Sequence, residues 1–243
     1  MTKRVLLIQI REPSDAMLHH ELQCVAQRLS GLDATLVSEN AVVKPILQKD
    51  LAGVDGVVIG GSGDFSVEHP LSLRFVTPML KTLDILASLS IPTFGICFGH
   101  QLIGYWLGRR VPTDPARSEL GTVQVSKTRT GKLHPALADL PDTFAAHSGH
   151  SDVVLGCPEG CDIILSNDLL DTQAFQVRGA PMMSVQFHPD MTGAEARARL
   201  LAYREGFSDR IDTDAASFAE KFAIDQDEST TLLSAFFRVH GFS

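Results

Sequence analysis

Residues 92–104 read PTFGICFGHQLIG, and they join an apolar run of strand length to a run with helical spacing. Cys97 stands between Gly95 and Gly99 in the pattern Gly-x-Cys-x-Gly. Glycines at these two places permit a tight turn from strand to helix, which holds the central side chain clear of the sheet. The segment predicts either a nucleophilic thiol or a small buried cysteine at a tight turn, and taken alone it does not choose between them.

The place of Cys97 at the start of a predicted helix favours the nucleophile. A helix N-terminus presents free N–H groups and the positive end of the helix dipole, and both stabilise a negatively charged sulfur. The N–H of Phe98, the next residue, is then placed to donate a hydrogen bond to an oxyanion that develops on a substrate.

Apolar runs of strand length alternate with helical runs over the first hundred residues. Nearly continuous apolar strands are typical of a parallel sheet that is buried on both faces. The sequence therefore predicts an α/β fold, a three-layer sandwich with a mostly parallel central sheet. Shorter strand-like pieces from residue 111 onward are expected to extend or edge the same sheet. The first predicted strands are 4–10, 33–38, 55–64 and 91–97, of which the third ends in a glycine cluster that must be a turn. The first predicted helices are 18–31, 71–89 and 100–108.

Two further segments place polar chemistry at strand ends. In VQFHPD, which ends at residue 190, His188 and Asp190 are two apart on an extended chain and point the same way, as a base and its orienting carboxylate would. The loop Gly60–Gly63 follows the third strand, at the sheet edge where open α/β sheets bind ligands, and its N–H groups could serve an anion. It lacks the Lys-Ser/Thr ending of a phosphate-binding loop.

Charge and cysteine content exclude several classes of protein. The chain has 21 Lys and Arg against 29 Asp and Glu, and the net charge of −8 argues against sequence-independent binding of nucleic acid. The apolar run VLLIQI near the start is too short for a secretion signal or a membrane span, which predicts a cytoplasmic protein without membrane contact. Cys157 and Cys161 have no second pair that would complete a zinc site.

Residues 206–243 are predicted to form an acidic extension beyond a catalytic domain of residues 1–205. From residue 208 onward seven acidic side chains stand against three basic ones, and a charged run extends from Asp209 to Glu228. A helix after this run either packs on its own domain or docks on a partner, for example a second copy in a homodimer. One face of that helix carries Leu232, Leu233, Phe236, Phe237 and Val239.

Three segments, in this order and spacing, resemble a known family. GGSGD, then GICFGHQ at the elbow, then VQFHPD are similar to the class I glutamine amidotransferase domain, and the elbow segment is highly specific. The resemblance covers roughly residues 4–205, is nearest to free-standing members similar to the glutaminase part of GMP synthase, and implies a flavodoxin-like fold. Two smaller matches are Glu119-Leu120-Gly121 and His150-Ser151-Asp152, which TQAF follows.

The resemblance implies hydrolysis of the glutamine side-chain amide through a γ-glutamyl thioester on Cys97. His188 would be the general base and acid, and Asp190 its orienting carboxylate. The N–H groups of Gly61 and Phe98 would form the oxyanion hole. No cofactor and no metal are implied, and the ammonia would be released for a second substrate.

The resemblance also places Gln101 and Asp152 at the α-amino and α-carboxylate end of bound glutamine. One position departs from the family pattern, because the family normally has Glu two residues after the histidine and this chain has Asp190, one methylene shorter. The shorter side chain predicts an imidazole that is held less tightly or through water. Since this carboxylate chiefly orients and polarises the base, we expect reduced turnover rather than none.

Several functions stay open at this point. The sequence has no fused acceptor domain, so an amidotransferase is expected to need a separate synthase chain as partner. A γ-glutamyl peptide or γ-glutamyl amine hydrolase would use the same thioester with a larger leaving group and no partner. A non-catalytic regulatory module of this fold would not depend on Cys97. The related cysteine-elbow hydrolase and chaperone superfamily fits the FHPD segment poorly.

Overall fold

Short apolar strands build the centre of the molecule. The computed structural model describes residues 2–203, 217 and 219–243, and its elements follow the predicted alternation. The described strands are β1 (Lys3–Gln9), β2 (Ala34–Asn40), β3 (Gly56–Ile59), β4 (Thr93–Ile96), β5 (Glu119–Lys127), β6 (Thr143–His150), β7 (Cys161–Ser166), β8 (Ala174–Val177) and β9 (Met182–Val185). The main described helices are α1 (Met17–Leu29), α2 (Leu73–Ser88), α3 (Phe98–Trp106), α4 (Gly193–Ala202) and α5 (Leu232–Val239).

The described strands form one sheet in the order β2-β1-β3-β4-β9-β8-β7-β5-β6. From β2 to β9 all neighbouring pairs are parallel, and from β9 to β6 all are antiparallel. The predicted α/β class with a parallel centre is therefore confirmed. The short strands after residue 111 extend the same sheet, as the sequence indicates.

The side chains of β1 show why helices cover both faces of this sheet. Val5 and Leu7 belong to a core that includes residues of α1 and α5, whereas Leu6 and Ile8 belong to a core that includes residues of α2 and α3. All four side chains are at most 1% exposed. Because successive strand residues point to opposite faces, a strand that is buried on both sides must be apolar throughout. The three-layer arrangement follows from this pattern.

The apolar face of α5 is covered by the chain itself. Leu232, Leu233, Phe236 and Phe237 are at most 1% exposed and lie in the core that contains residues of α1 and β1. The ring of Phe236 meets that of Phe94 on β4 edge to face, with centroids 5.2 Å apart. The alternative, a helix that packs on its own domain, is confirmed. The other alternative, docking on a partner or on a second copy, is wrong for these four residues, because they are already buried.

The predicted boundary at residues 205 and 206 lies outside the described residues, and so does the first part of the charged run Asp209–Glu228. The division into two domains stays a prediction. The end of that run is hydrogen-bonded to the rest of the chain through Asp227. Its Oδ1 accepts a hydrogen bond from the N–H of Gly193 at 2.8 Å and lies 2.9 Å from Nε2 of His147 on β6.

Replacement of Phe236 by alanine tests the intramolecular role of α5. We expect Phe236→Ala to lower the free energy of unfolding by about 3–5 kcal/mol, because it leaves a cavity in the main core. Urea denaturation followed by circular dichroism measures this loss. Val239→Ala on the same helix is the control, since Val239 is 43% exposed, and it should change stability by about 0.5 kcal/mol or less. Unchanged stability together with loss of a dimer in Phe236→Ala would contradict this assignment.

Candidate active site

Three loops meet at the carboxyl ends of β3, β4 and β9, which are neighbours in the sheet. The loop Gly60–Gly63 follows β3, the elbow at Cys97 follows β4, and the segment with His188 and Asp190 follows β9. An ideal Cβ on Gly61 would lie 2.9 Å from Cε1 of His188 and 3.7 Å from Cβ of Cys97. The structure thus brings together the three segments that the sequence pointed to.

The elbow holds Cys97 in a backbone conformation that few side chains adopt. Its φ is +49° and its ψ is −97°, and it caps the N-terminus of α3. A positive φ is strained for a residue with a Cβ and persists where the surrounding packing imposes it. Here the packing is the close approach of α3: a Cβ on Gly95 would lie 2.8 Å from the carbonyl carbon of Gly99, and a Cβ on Gly99 would collide with the carbonyl oxygen of Ile59. Both glycines of the motif are therefore required sterically.

His188 is held through its main chain and through its ring. Its N–H donates to the carbonyl oxygen of His147 on β6 at 2.8 Å. Its Nδ1 donates to Oδ1 of Asp190 at 3.0 Å, so the carboxylate reaches the imidazole directly and no intervening water is needed. The expectation of a water-mediated contact is wrong, because the ring and the carboxylate follow each other closely on one loop. The opposite side of the ring faces Gly61.

The protonation of this pair follows from its surroundings. Burial disfavours the imidazolium of His188, but the charge and hydrogen bond of Asp190 and the side chain of Cys97 together raise the pKa of His188 to about 9. Burial also disfavours the ionised form of Asp190, but the guanidinium of Arg199 and then the ring of His188 hold the pKa of that carboxyl below its usual range. At neutral pH the pair is imidazolium and carboxylate. An imidazolium beside a sulfur stabilises a thiolate there.

Gln101 and Asp152, both predicted to bind substrate, are in contact. The Nε2 group of Gln101, on α3, donates to the main-chain oxygen of Asp152 at 3.0 Å and lies 3.4 Å from Oε1 of Gln186. Gln186 in turn points its Nε2 at Sγ of Cys97, 3.7 Å away. The carboxylate of Asp152 accepts a hydrogen bond from the hydroxyl of Thr113 at 2.6 Å. The side-chain amides of Gln186 and Gln101 therefore form a chain of contacts from Sγ of Cys97 to the main chain of Asp152.

A buried carboxylate supports the main chain at Asp152. Glu119 accepts hydrogen bonds from the side chains of Asn167 at 2.6 Å, Gln173 at 2.5 Å and His150 at 3.0 Å. Burial disfavours this carboxylate, but these three hydrogen bonds lower the pKa of Glu119. The other ring nitrogen of His150 faces the main-chain oxygen of Asp152 at 3.1 Å. The Glu119 and His150 segments, which are far apart in the sequence, form one buried network.

The N–H of Gly61, a predicted oxyanion donor, is bonded to a carboxylate in this structure. It donates to Oε1 of Glu21 on α1 at 3.1 Å. Glu21 is 1% exposed and pairs with Arg11, which is 2% exposed, through Nε at 3.1 Å. An N–H that serves an oxyanion has to point at the substrate, so this one would have to turn away from Glu21. The roles of Gly61 and Phe98 in an oxyanion hole stay predictions.

Three residues of this site were not singled out from the sequence: Glu21, Gln186 and Arg199. The sequence does contain a pattern that could have identified Glu21, since it lies on the same helical face as the apolar Leu18 and Val25. A carboxylate on a helix face that is buried requires a polar or charged partner. Gln186 could also have been identified, since it lies two residues before His188 on an extended chain and its side chain points to the same side. No sequence pattern distinguishes Arg199, because arginines recur along α4.

The fold and this geometry define an α/β protein with a cysteine at a strand-to-helix elbow and a His-Asp pair beside it. Residues 17–204 match the family Glutamine amidotransferase class-I. This match covers more than half of the chain, and the chain belongs to the class I glutamine amidotransferase family.

Individual relatives agree with this family. The glutamine-hydrolysing GMP synthase of Sulfolobus acidocaldarius has a subunit that is 31% identical over 165 residues, which are 68% of this chain and 80% of that protein. The GMP synthase of Porphyromonas gingivalis is 28% identical over 64% of this chain, but the match spans only 28% of that longer protein. The crystal structure of a glutamine amidotransferase from Thermotoga maritima shares the fold, with a TM-score of 0.77 at 19% identity over 98% of both chains.

Two further findings concern the described residues alone. Within residues 2–203, 217 and 219–243, no helix is long and apolar enough to cross a membrane. In the same part of the chain, no group of three or more His, Cys, Asp or Glu side chains could hold a metal ion. All four cysteines are free thiols.

Removal of the Glu21 carboxylate tests the buried pair under the glycine loop. Glu21→Ala takes away the main partner of the buried Arg11 and the acceptor of the Gly61 N–H, and we expect the free energy of unfolding to fall by about 3 kcal/mol. Glu12→Ala is the control, since Glu12 and its partner Arg74 are both largely exposed, and it should cost about 1 kcal/mol or less. Urea denaturation compares the two variants, and equal losses would contradict the assignment.

Proposed function

We propose that this chain hydrolyses the side-chain amide of glutamine through a thioester on Cys97 and supplies the ammonia to a partner synthase. The observation that carries the proposal is the cysteine at φ +49° at the head of α3, with the His188–Asp190 pair on the neighbouring loop. Membership of the class I glutamine amidotransferase family supports the substrate class. A scaffold without chemistry would have no need of this strained elbow next to a buried ion pair.

The first half-reaction forms the thioester. The thiolate of Cys97 attacks the γ-amide carbon, and the carbonyl oxygen becomes an oxyanion. His188, as imidazolium, gives its proton to the amide nitrogen, the C–N bond breaks, and ammonia leaves. Asp190 holds the ring so that its other nitrogen faces the substrate, and its charge balances the imidazolium.

The second half-reaction releases glutamate. Neutral His188 takes a proton from a water molecule, and the resulting hydroxide attacks the thioester carbon. The C–S bond breaks, the sulfur leaves as the thiolate of Cys97, and His188 is again an imidazolium. Both half-reactions pass through an oxyanion, for which the N–H groups of Phe98 and Gly61 are the proposed donors. For Gly61 this requires that its N–H leave Glu21.

Gln101 and Asp152 are proposed to bind the amino-acid end of glutamine. They contact each other, and Gln101 connects through Gln186 to the sulfur. The Asp152 carboxylate suits the α-ammonium group of the substrate, because opposite charges pair well in a site with little water. The buried hydrogen-bond network of Glu119 and His150 holds the main chain at Asp152 in place.

The proposed destination of the ammonia is a separate synthase chain. Similarity to proteins that are single subunits of a glutamine-hydrolysing GMP synthase supports a partner of that kind. Cytoplasmic location, expected from the sequence, is part of the same proposal. A γ-glutamyl hydrolase would share the thioester and would differ only in its leaving group, so the assays below include both substrates.

Affinity labelling tests the nucleophile. A glutamine-like chloroketone should modify Cys97 alone, and mass spectrometry of the digested protein locates the adduct. Cys24 provides the internal control, because burial raises the pKa of its thiol to about 12. Cys97→Ser should lose at least about a thousandfold in ammonia release from glutamine, because the hydroxyl is a far weaker nucleophile. An adduct on another cysteine would overturn the proposal, and turnover of γ-glutamyl amides without release of ammonia from glutamine would favour the hydrolase.

The pH dependence tests the charge state of His188. Since its pKa is raised to about 9, the imidazolium that protonates the leaving amine is present below this pH and is lost above it. Ammonia release should therefore fall as the pH rises through about 9. Alkylation of Cys97 by iodoacetamide needs only the thiolate and should not fall there. Parallel decline of both rates, at a pH where circular dichroism shows a folded protein, would contradict this assignment.

A further inference from the structure

Asp190 is bound at both of its oxygen atoms. Oδ1 accepts from Nδ1 of His188 at 3.0 Å, and Oδ2 accepts from Nη2 of Arg199 at 3.2 Å. Asp190 is 1% exposed and Arg199 is 6% exposed, so water does not compete for either contact. The Nη1 group of Arg199 also comes within 3.5 Å of Nδ1 of His188. The guanidinium therefore contacts both members of the pair.

A buried carboxylate needs a compensating charge to stay ionised. Without one, desolvation favours the protonated acid, which would neither balance the imidazolium nor accept its N–H in the same way. His188 alone cannot guarantee this charge, because its own charge changes in each half-reaction. An arginine does not lose its proton in proteins. Arg199 is thus a permanent positive charge beside a base that is charged only part of the time.

Arg199 is itself held in place by α1 and α4. Its Nε and Nη2 groups each lie 3.4 Å from Nδ1 of His20 on α1. Burial and then the charge of Arg199 lower the pKa of His20, so His20 is neutral and its Nδ1 accepts from the guanidinium. At the start of α4, Thr192 and Glu195 form a capping box.

We propose that Arg199 is a positioning residue of the reaction, which keeps Asp190 ionised and turned toward His188 through both half-reactions. The proposal rests on the proposed thioester chemistry at Cys97. Arg199 touches no substrate atom and acts through Asp190. Among the described residues, the ionisable side chains whose charge interacts with that of Arg199 include His20 and Cys24 on α1 and Tyr203. His20 in turn interacts with Glu195 on α4 and with Arg11.

The decisive variant is Arg199→Met, which keeps bulk and removes the charge. The rate of Cys97 alkylation by iodoacetamide, measured from pH 5 to 9, reports the thiolate and needs no substrate. We expect its acid limb to move upward by about one pH unit or more, since the variant removes a buried positive charge that favours the thiolate over the thiol. In the glutaminase assay, kcat should fall by about tenfold or more at pH 6 while KM changes by less than about threefold.

Three controls separate positioning from a general loss of structure. Arg199→Lys keeps the charge and should recover most of the wild-type pH profile. Arg197→Met, on the same helix, removes an arginine that bonds to the carbonyl oxygen of Phe222 and should leave the profile unchanged. In an Asp190→Asn background, Arg199→Met should cause a smaller shift than in the wild type, because no carboxylate remains to be held and only the direct contact of the guanidinium with His188 is lost.

The outcomes are distinct. A profile of Arg199→Met that superimposes on the wild type overturns the proposal, and so does an equal loss at every pH that Arg199→Lys does not restore. An upward shift in alkylation without glutamine turnover in the wild type supports the role of Arg199 and overturns the substrate assignment alone. A wild-type Cys97 that iodoacetamide does not modify overturns both this proposal and the thioester mechanism.

Discussion

The close approach of α3 to β3 and β4 is the constraint on which the site depends. Gly99 is so near the end of β3 that its N–H donates to the carbonyl oxygen of Gly60 at 3.2 Å, and any side chain there would collide with Ile59. This contact starts the helix at the sheet edge and forces Cys97 into its positive-φ conformation. The N–H of Cys97 donates to the carbonyl oxygen of Val185 at 2.9 Å. Main-chain hydrogen bonds therefore connect the elbow to the loop after β3 and to the end of β9, independently of any side chain.

Features that depend on short-range sequence could be predicted. The glycines around Cys97, the alternation of apolar strands with helices, and the spacing of His188 and Asp190 each reflect a local backbone requirement. Residues that meet from distant elements could not be predicted in this way. Arg199 is eleven positions from His188 on another element, and Glu21 reaches Gly61 from a helix forty residues earlier in the chain. Their identity as partners is a property of the packing of α1 against the sheet and α4.

The last helix also shows that a local sequence pattern does not identify a distant packing partner. An amphipathic pattern indicates that one face of α5 must be covered, but it contains no information about what covers it. The structure places Phe236 against Phe94 of β4, inside the core. In a similar way, the acidic character of the extension did not indicate that Asp227 would bond to His147, whose carbonyl oxygen accepts the N–H of His188. The segment after residue 219 therefore contacts, through Asp227 and His147, the loop that carries His188 and Asp190.

The pairing of β4 with β9 has a consequence for how the protein acquires its reactivity. These strands are adjacent in the sheet, with Ile96 opposite Val185, although 89 positions separate those two residues in the sequence. Contacts between such distant residues close a long loop and form late in folding, because the entropy cost must be met first. Before this pairing forms, the elbow segment at Cys97 has no imidazole beside it. The thiol of Cys97 therefore comes beside the imidazole of His188 only when this long-range pairing is in place.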